Sequence, residues 1–262
     1  MKRQQLLERG DRVAGTVRKL DSVDDLKAQY GDRLWLAHLD VTDAKEIKDV
    51  VDRAFAELGR VDVIVNNAGY GLFGAAEELT DEQIVHHIDT NLIGSIQVVR
   101  ASLPYLREQG GGRILQISSY GGQATNPGAS LYHASKWGIE GFMESTAKDV
   151  AGFGIGVTIV EPGGARTEFR FGSLQLAEPM AAYDGGPAAM TRGAKDRSRL
   201  PIGDPAKMTA LMIESVDRNP APRRLVLGSD SYRYIHAALV ERLAEIEGQE
   251  QVAASTDIPT EA

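Results

Sequence analysis

The sequence predicts a single α/β domain built on a parallel, doubly wound sheet. Three observations lead there. Short apolar runs alternate with amphipathic helical stretches from about residue 12 to residue 246, and such alternation builds parallel sheets covered by helices on both faces. Candidate capping boxes and glycine stops punctuate the alternation where helices should begin and end. No internal repeat or second domain is visible, and 262 residues are enough to bury one full core.

Taken in order, Met1–Gly10 reads as the last turns of a helix. Arg12–Val17 reads as a strand, Ser22–Gln29 as a short helix and Arg33–Leu39 as the next strand. Asp43, with Glu46 three residues on, is a capping box for a helix that ends near Leu58 with Gly59 as its stop. Val61–Val65 is a buried strand. Thr80 and Gln83 form a second capping box, opening a long helix to Glu108 that Pro104 should kink. Gly110-Gly111-Gly112 breaks the chain before the strand Arg113–Ser118, and Ser130–Val150 is a helix. Gly156–Val160 is a strand, Pro205–Arg218 a helix, Arg223–Leu227 the last strand and Ser231–Ile246 the last helix.

Two segments depart from the alternation. Residues 168–201 are rich in Gly, Ala, Pro and Met, and Phe169, Phe171, Leu174, Leu176, Met180, Tyr183 and Met190 make them apolar enough to close over a hydrophobic substrate. Long irregular segments of compact domains are often lids. Residues 247–262 are polar and aperiodic, and are expected to be a disordered tail. The domain proper is therefore residues 1–246.

Composition narrows the function. A formal net charge of −8 argues against a general nucleic-acid or anionic-membrane binder. With no cysteine there is no disulfide, thiolate nucleophile or thiolate metal site, and the cytoplasm is weakly favoured. No apolar run approaches the ~20 residues that span a bilayer, and the polar N-terminus lacks a signal-peptide core. His86 and His87 are adjacent, so a helix points them apart, and no residues have the spacing of a metal ligand set.

The chemistry concentrates around Tyr132. Lys136 follows it by one helical turn, on the same face. A phenol of reference pKa about 10 is a poor base at neutral pH, and a nearby ammonium favours the phenolate and lowers that value. Ser119 lies thirteen residues before the tyrosine, at a strand end from which its hydroxyl can reach the same substrate oxygen. Such a set can move a proton to or from a carbonyl oxygen. Around it stand Asn66-Asn67-Ala68-Gly69 after an apolar run, Asn91-Leu92-Ile93-Gly94, Ile117-Ser118-Ser119 leading into Gly121-Gly122, and Glu161-Pro162-Gly163 with Thr167 beyond.

In this order and spacing, from about Leu6 to Gly228, these motifs resemble the short-chain dehydrogenase/reductase family. The resemblance implies a Rossmann-type fold and a nicotinamide-dependent oxidoreductase that interconverts a ketone or aldehyde and an alcohol. It implies that Ser119 polarises the substrate oxygen and that Tyr132 is the acid in reduction and the base in oxidation. Lys136 would also bind the nicotinamide ribose, and Asn91 would complete a proton relay through water. Asn66, Ala68 and Gly69 would line the cofactor, Asp40 would bond the adenine amine, and Pro162, Gly163 and Thr167 would flank the carboxamide. The end of the second family strand reads Thr16-Val17-Arg18-Lys19, with no acid until Asp21. Arg18 would accommodate a 2′-phosphate there, favouring NADP over NAD. The family also pairs its two long helices across subunits, here about 80–108 and 130–150, implying a homodimer or homotetramer; Gly138 and Gly141 would permit close approach or relieve crowding inside one subunit.

One family feature is not found in the sequence. No GxxxGxG occurs upstream of Val13. The chain is thus expected to lack the family's first strand and glycine-rich turn. A natural reading frame longer by roughly 15–20 residues would supply them, placing the strand between 12–17 and 61–65. A cofactor-impaired, non-catalytic member acting in binding or assembly is the alternative reading.

Overall fold

The computed structural model describes residues 2–258. Helix α1 (Lys2–Arg9) precedes strand β1 (Val13–Val17), and Leu7, Val13 and Leu34 bury one another at that end of the molecule. A single 3₁₀ turn leads to α2 (Asp24–Tyr30), then β2 (Leu34–His38) and α3 (Ala44–Leu58). There follow β3 (Val63–Asn66), β4 (Leu72–Phe73), α4 (Asp81–Ile88), α5 (Gly94–Glu108), β5 (Gly112–Ile117), α6 (Ser130–Asp149), β6 (Ile155–Pro162), β7 (Gln175–Leu176), α7 (Pro205–Val216), β8 (Arg224–Leu227), α8 (Ser229–Glu247) and α9 (Glu250–Ala254).

All the strands pair in parallel, as the alternation predicts. The larger ladder runs β3-β5-β6-β8, and β1 pairs with β2 in a second ladder that sets Val13 opposite Leu34 and Val17 opposite His38. Among the described residues no ladder joins β1 to β3. The main core lies between the larger ladder and helices α3, α5 and α6. Val99, Leu106, Ile114, Ile139, Met143 and Ile159 are fully buried there. Burying each side chain of this size contributes about 1.5–3 kcal/mol. Met208 and Met212 of α7 cover the other face against Leu115, Val160 and Leu227.

Helix ends follow the sequence with two corrections. The Thr80–Gln83 box forms reciprocally. Asp43 caps α3 through the amides of Lys45 and Glu46, but the box is not closed. The Glu46 carboxylate instead accepts from the Asp40 amide at 2.8 Å and meets His38 Nδ1 at 2.6 Å, since β2 ends within its reach. The expected long helix 80–108 is divided by a π turn, Asp89–Ile93, with Asn91 at its middle. A Cβ at Gly94 would lie 2.5 Å from the Val41 carbonyl oxygen, so only glycine lets the helix pass there. Pro104 lies inside α5.

Residues 168–201 hold a π turn (Phe169–Ser173), β7 and two 3₁₀ segments. Strand β7 pairs with β4, Leu72 opposite Gln175 and Phe73 opposite Leu176. Arg192 reaches back to the buried Glu78 carboxylate at 3.0 Å. Beyond the domain, Glu250–Ala254 is helical and exposed, in place of the disorder expected over 247–262. Its Glu, Gln and Ala are good helix formers. Residues 259–262 of that tail lie outside the described residues. Among those described, no helix is long and apolar enough to cross a membrane.

Candidate active site

Strand β5 delivers Ser119 just past its C-terminal end, where parallel sheets place ligands. The Ser119 hydroxyl accepts from the Gly121 amide at 3.1 Å and lies close enough to the Tyr132 phenol to lower its pKa. Tyr132 stands in the first turn of α6 and is 9% exposed. Lys136, one turn further, donates to the Ile117 carbonyl at 3.0 Å, and its Nζ lies 5.7 Å from the Tyr132 ring centre. The three residues singled out by spacing do come together.

Their electrostatics differ from the sequence expectation. Burial pushes the Tyr132 phenol up to about 12, against a smaller lowering by the Ser119 hydrogen bond. The expected net lowering by Lys136 is not found, because loss of hydration outweighs the neighbouring groups. Tyr132 is thus a firmly protonated acid at neutral pH.

Asn91 lies in the π turn, one helix away. Its Oδ1 accepts from the Tyr70 amide at 3.0 Å, and its Nδ2 donates to the Tyr70 carbonyl at 2.8 Å and to His87 Nε2 at 3.1 Å. It therefore grips the end of the Asn66–Tyr70 turn. In that turn Asn66 is buried with its amide directed inward, donating to the Ser95 carbonyl and to Gln116 Oε1, both at 3.1 Å. Asn66 braces the turn, and Ala68 is its exposed small residue. Gly69 has φ 157°, and a Cβ there would stand 3.1 Å from Asn91 Oδ1.

Arg18 and Asp40 lie at the ends of β1 and β2. Asp40 accepts from the Thr42 amide at 2.9 Å and hydroxyl at 2.8 Å, which hold its carboxyl below the usual range, with smaller help from Arg18 and His86. Arg18 is exposed. Pro162 ends β6, the Gly163 amide donates to the Leu227 carbonyl at 2.8 Å, and a Cβ on Gly163 would collide with Asp230. The Thr167 hydroxyl accepts from the Phe169 amide at 3.3 Å.

Aromatic rings enclose the phenol. Phe73 meets Tyr132 edge-on at 5.6 Å between ring centres, and Phe169 and His87 each lie at 6.3 Å. Two elements of the site escaped the sequence reading. One is His87. The other is a buried ionic cluster beneath the serine strand: Glu140 accepts from Ser118 and from Gln123, each at 2.5 Å, while Arg224 bonds Glu140, Glu144 and Glu161. Glu140 follows Lys136 by one turn of α6, a spacing that could have marked it. No group of His, Asp and Glu among the described residues could hold a metal ion.

Comparison with known proteins agrees with this geometry. A family model described as short chain dehydrogenase matches residues 3–174. The chain is 34% identical over 229 residues to the oxidoreductase BOA17 of Botryotinia fuckeliana, covering 87% of this chain and 84% of that one. It superposes on a short-chain dehydrogenase from Streptomyces avermitilis with a TM-score of 0.90 and 38% identity, over 98% and 94% of the two chains. The closed form of a serine dehydrogenase complexed with NADP+ is also similar, with a TM-score of 0.72 and 26% identity over 86% of this chain and 88% of that one. One expectation is corrected here. The family match begins at residue 3, ahead of β1, so it gives no support to a missing first strand and glycine turn. The serine, tyrosine and lysine meet on the sheet edge where this fold gathers its chemistry, and with matches of this extent the chain belongs to the short-chain dehydrogenase/reductase family of oxidoreductases.

Proposed function

We propose that the enzyme interconverts a hydrophobic ketone or aldehyde and its alcohol with NADP(H). The observation that carries this reading is the buried Tyr132 phenol beside the Ser119 hydroxyl, with Lys136 one turn beyond, under an aromatic wall. The residues present fit a flat dinucleotide. At Gly69 the absence of a side chain leaves a shelf beside Asn91, Ala68 adds little bulk, and Arg18 offers an exposed cation at the end of β1. Asp40, Ala68, Gly69, Lys136, Pro162, Gly163 and Thr167 would hold the cofactor, with Asn66 bracing from behind. Arg18 would meet a 2′-phosphate, which favours NADP, and the NADP+ complex of a relative points the same way.

The bound nicotinamide would supply or accept the hydride. In reduction Tyr132 gives its phenolic proton to the substrate oxygen, and Ser119 holds that oxygen by its hydroxyl. Burial keeps the proton on Tyr132 until an oxygen of rising basicity arrives. The Lys136 ammonium then lies beside the new phenolate, which it stabilises more than the neutral ring. Asn91 steadies the turn and completes the relay that returns a proton. Phe73, Phe169 and Leu174 favour an apolar substrate, with residues 168–201 as its lid. We also propose a cytoplasmic homodimer or homotetramer. Gly138 packs on Leu92 within the subunit, but nothing lies within 4 Å of a Cβ on Gly141, which leaves that face of α6 open. Fluorescence titration tests the cofactor assignment: NADPH should bind saturably and more tightly than NADH. Equal affinity would remove the NADP preference, and no binding of either would overturn the reading.

A further inference from the structure

His87 is a fully enclosed titratable side chain beside the site, with 0% exposure, and the chemistry above assigns it no part. It precedes Asn91 by one helical turn. Its protonation state follows from its neighbours. The Tyr70 amide can only donate, so the Asn91 atom facing it at 3.0 Å is the acceptor Oδ1. The Asn91 amide nitrogen then faces the Tyr70 carbonyl and, at 3.1 Å, His87 Nε2. An amide nitrogen only donates, so Nε2 must present its lone pair, and the proton of the neutral ring sits on Nδ1.

That proton has no partner among the described residues. Burial with the nearby Lys136 cation moves the His87 pKa down to about 4, which keeps the ring neutral. The ring also stands edge-on to Tyr70 at 4.9 Å between centres, and Ser135 Oγ of the catalytic helix lies 3.4 Å from Nε2. A leucine could fill this volume without leaving a buried N–H unpaired. What an apolar side chain could not supply is the acceptor for Asn91.

We propose that His87 is a positioning residue: its Nε2 lone pair holds the Asn91 amide against the Tyr70 backbone and so fixes the Asn66–Tyr70 turn on which the cofactor would lie. The role in fixing the turn stands on the geometry alone, while the link to the cofactor rests on the oxidoreductase reading above.

Two variants separate positioning from packing. His87→Met keeps bulk and removes the acceptor, whereas His87→Gln keeps an acceptor near Nε2. The first readout is amide hydrogen exchange at Tyr70 in the ligand-free full chain, and the second is NADPH affinity by fluorescence. Loss of one buried hydrogen bond should speed Tyr70 exchange and weaken NADPH binding about tenfold in His87→Met. His87→Gln should stay within about threefold of the parent in both, the scale of a relocated but intact bond. Unchanged Tyr70 exchange in His87→Met, or equal acceleration in both variants, would overturn the proposal. Equal loss of melting temperature in both variants, or failure of both to fold, would mark a packing role and overturn it too. Faster exchange with unaltered NADPH affinity would overturn the link to the cofactor. A parent that binds no nicotinamide cofactor would overturn that link and the oxidoreductase reading, while the exchange data would still decide the role of His87 in the turn.

Discussion

Replacing Arg224 by methionine tests the buried ionic cluster behind the serine strand. The guanidinium reaches Glu140 at 2.5 Å, Glu144 at 2.6 Å and Glu161. These three carboxylates would not suffer equally. Glu144 is 47% exposed and can turn to water. Glu140 keeps its bonds from Ser118 and Gln123. Glu161 has 0% side-chain exposure, its Oε2 is already without a partner, and its Oε1 would lose Arg224. Breaking a buried pair by removing one member costs about 3–5 kcal/mol when the charge left behind stays ionised; here the group left behind is Glu161, which takes up a proton instead.

The same site makes the cost depend on pH. Burial and the Glu140 carboxylate push Glu161 up to about 7, against the opposing pull of Arg224. An acid raised in the folded state binds more protons than the unfolded chain between its ordinary value and the raised one. Stability therefore falls as pH rises through that window. In the parent this amounts to about 3 kcal/mol between pH 4.5 and 7. Without Arg224 the folded value moves higher still. Urea unfolding should show Arg224→Met destabilised at both pH values, and by about 1 kcal/mol more at pH 8, where the variant's Glu161 keeps a proton that the parent's has lost, than at pH 6, where Glu161 is protonated in both proteins. Equal losses at both pH values would refute the assignment of the pH-dependent part of the penalty to Glu161.

Four further outcomes are expected. Tyr132→Phe should fold and bind cofactor but lose on the order of 10²–10⁴ in turnover; equal kcat in steady-state assays would remove the phenol from the chemistry. Arg18→Asp should shift the ratio of kcat/KM values from NADP toward NAD, and an unchanged ratio would leave Arg18 a solvated surface residue. Arg192→Met should free the segment held to Glu78, Asp184 and the Met180 carbonyl. Limited proteolysis would then cut 178–196 faster and, on the proposed lid role, substrate KM would rise, whereas parental cleavage would show that the clamp does not hold this segment. Light scattering at micromolar concentration should give a multiple of the 28.3 kDa chain mass, and a monomer would count against pairing through α6.

The alternation of elements was readable because each strand and helix carries its own periodicity and punctuation, and the Thr80 cap lies within four residues. The Ser119, Tyr132 and Lys136 site was readable because a strand end and one helical turn fix their approach locally. What stayed hidden depends on partners distant in sequence. Asn66 turns inward because Ser95 and Gln116 wait for it across the fold. Glu46 leaves its capping box for Asp40, and the π turn at Asn91 has no local marker. Enclosure by Phe73 and Phe169 reverses the expected direction of the Tyr132 shift, and no spacing rule reports enclosure.

The short β4–β7 ladder carries a consequence for engineering substrate range. Its hydrogen bonds run through the backbone, with the Gln175 amide on the Gly71 carbonyl and the Ala177 amide on that of Phe73, both at 2.8 Å. Such a seam is strict about register. The proposed lid could therefore be relined at Phe169 or Met190 while the seam survives. A residue inserted or deleted between Phe169 and Gln175 would slide the seam by one step and turn every side chain along it to the opposite face. Exchanges of this segment between relatives should thus succeed when that spacing matches and should fail when it differs by one.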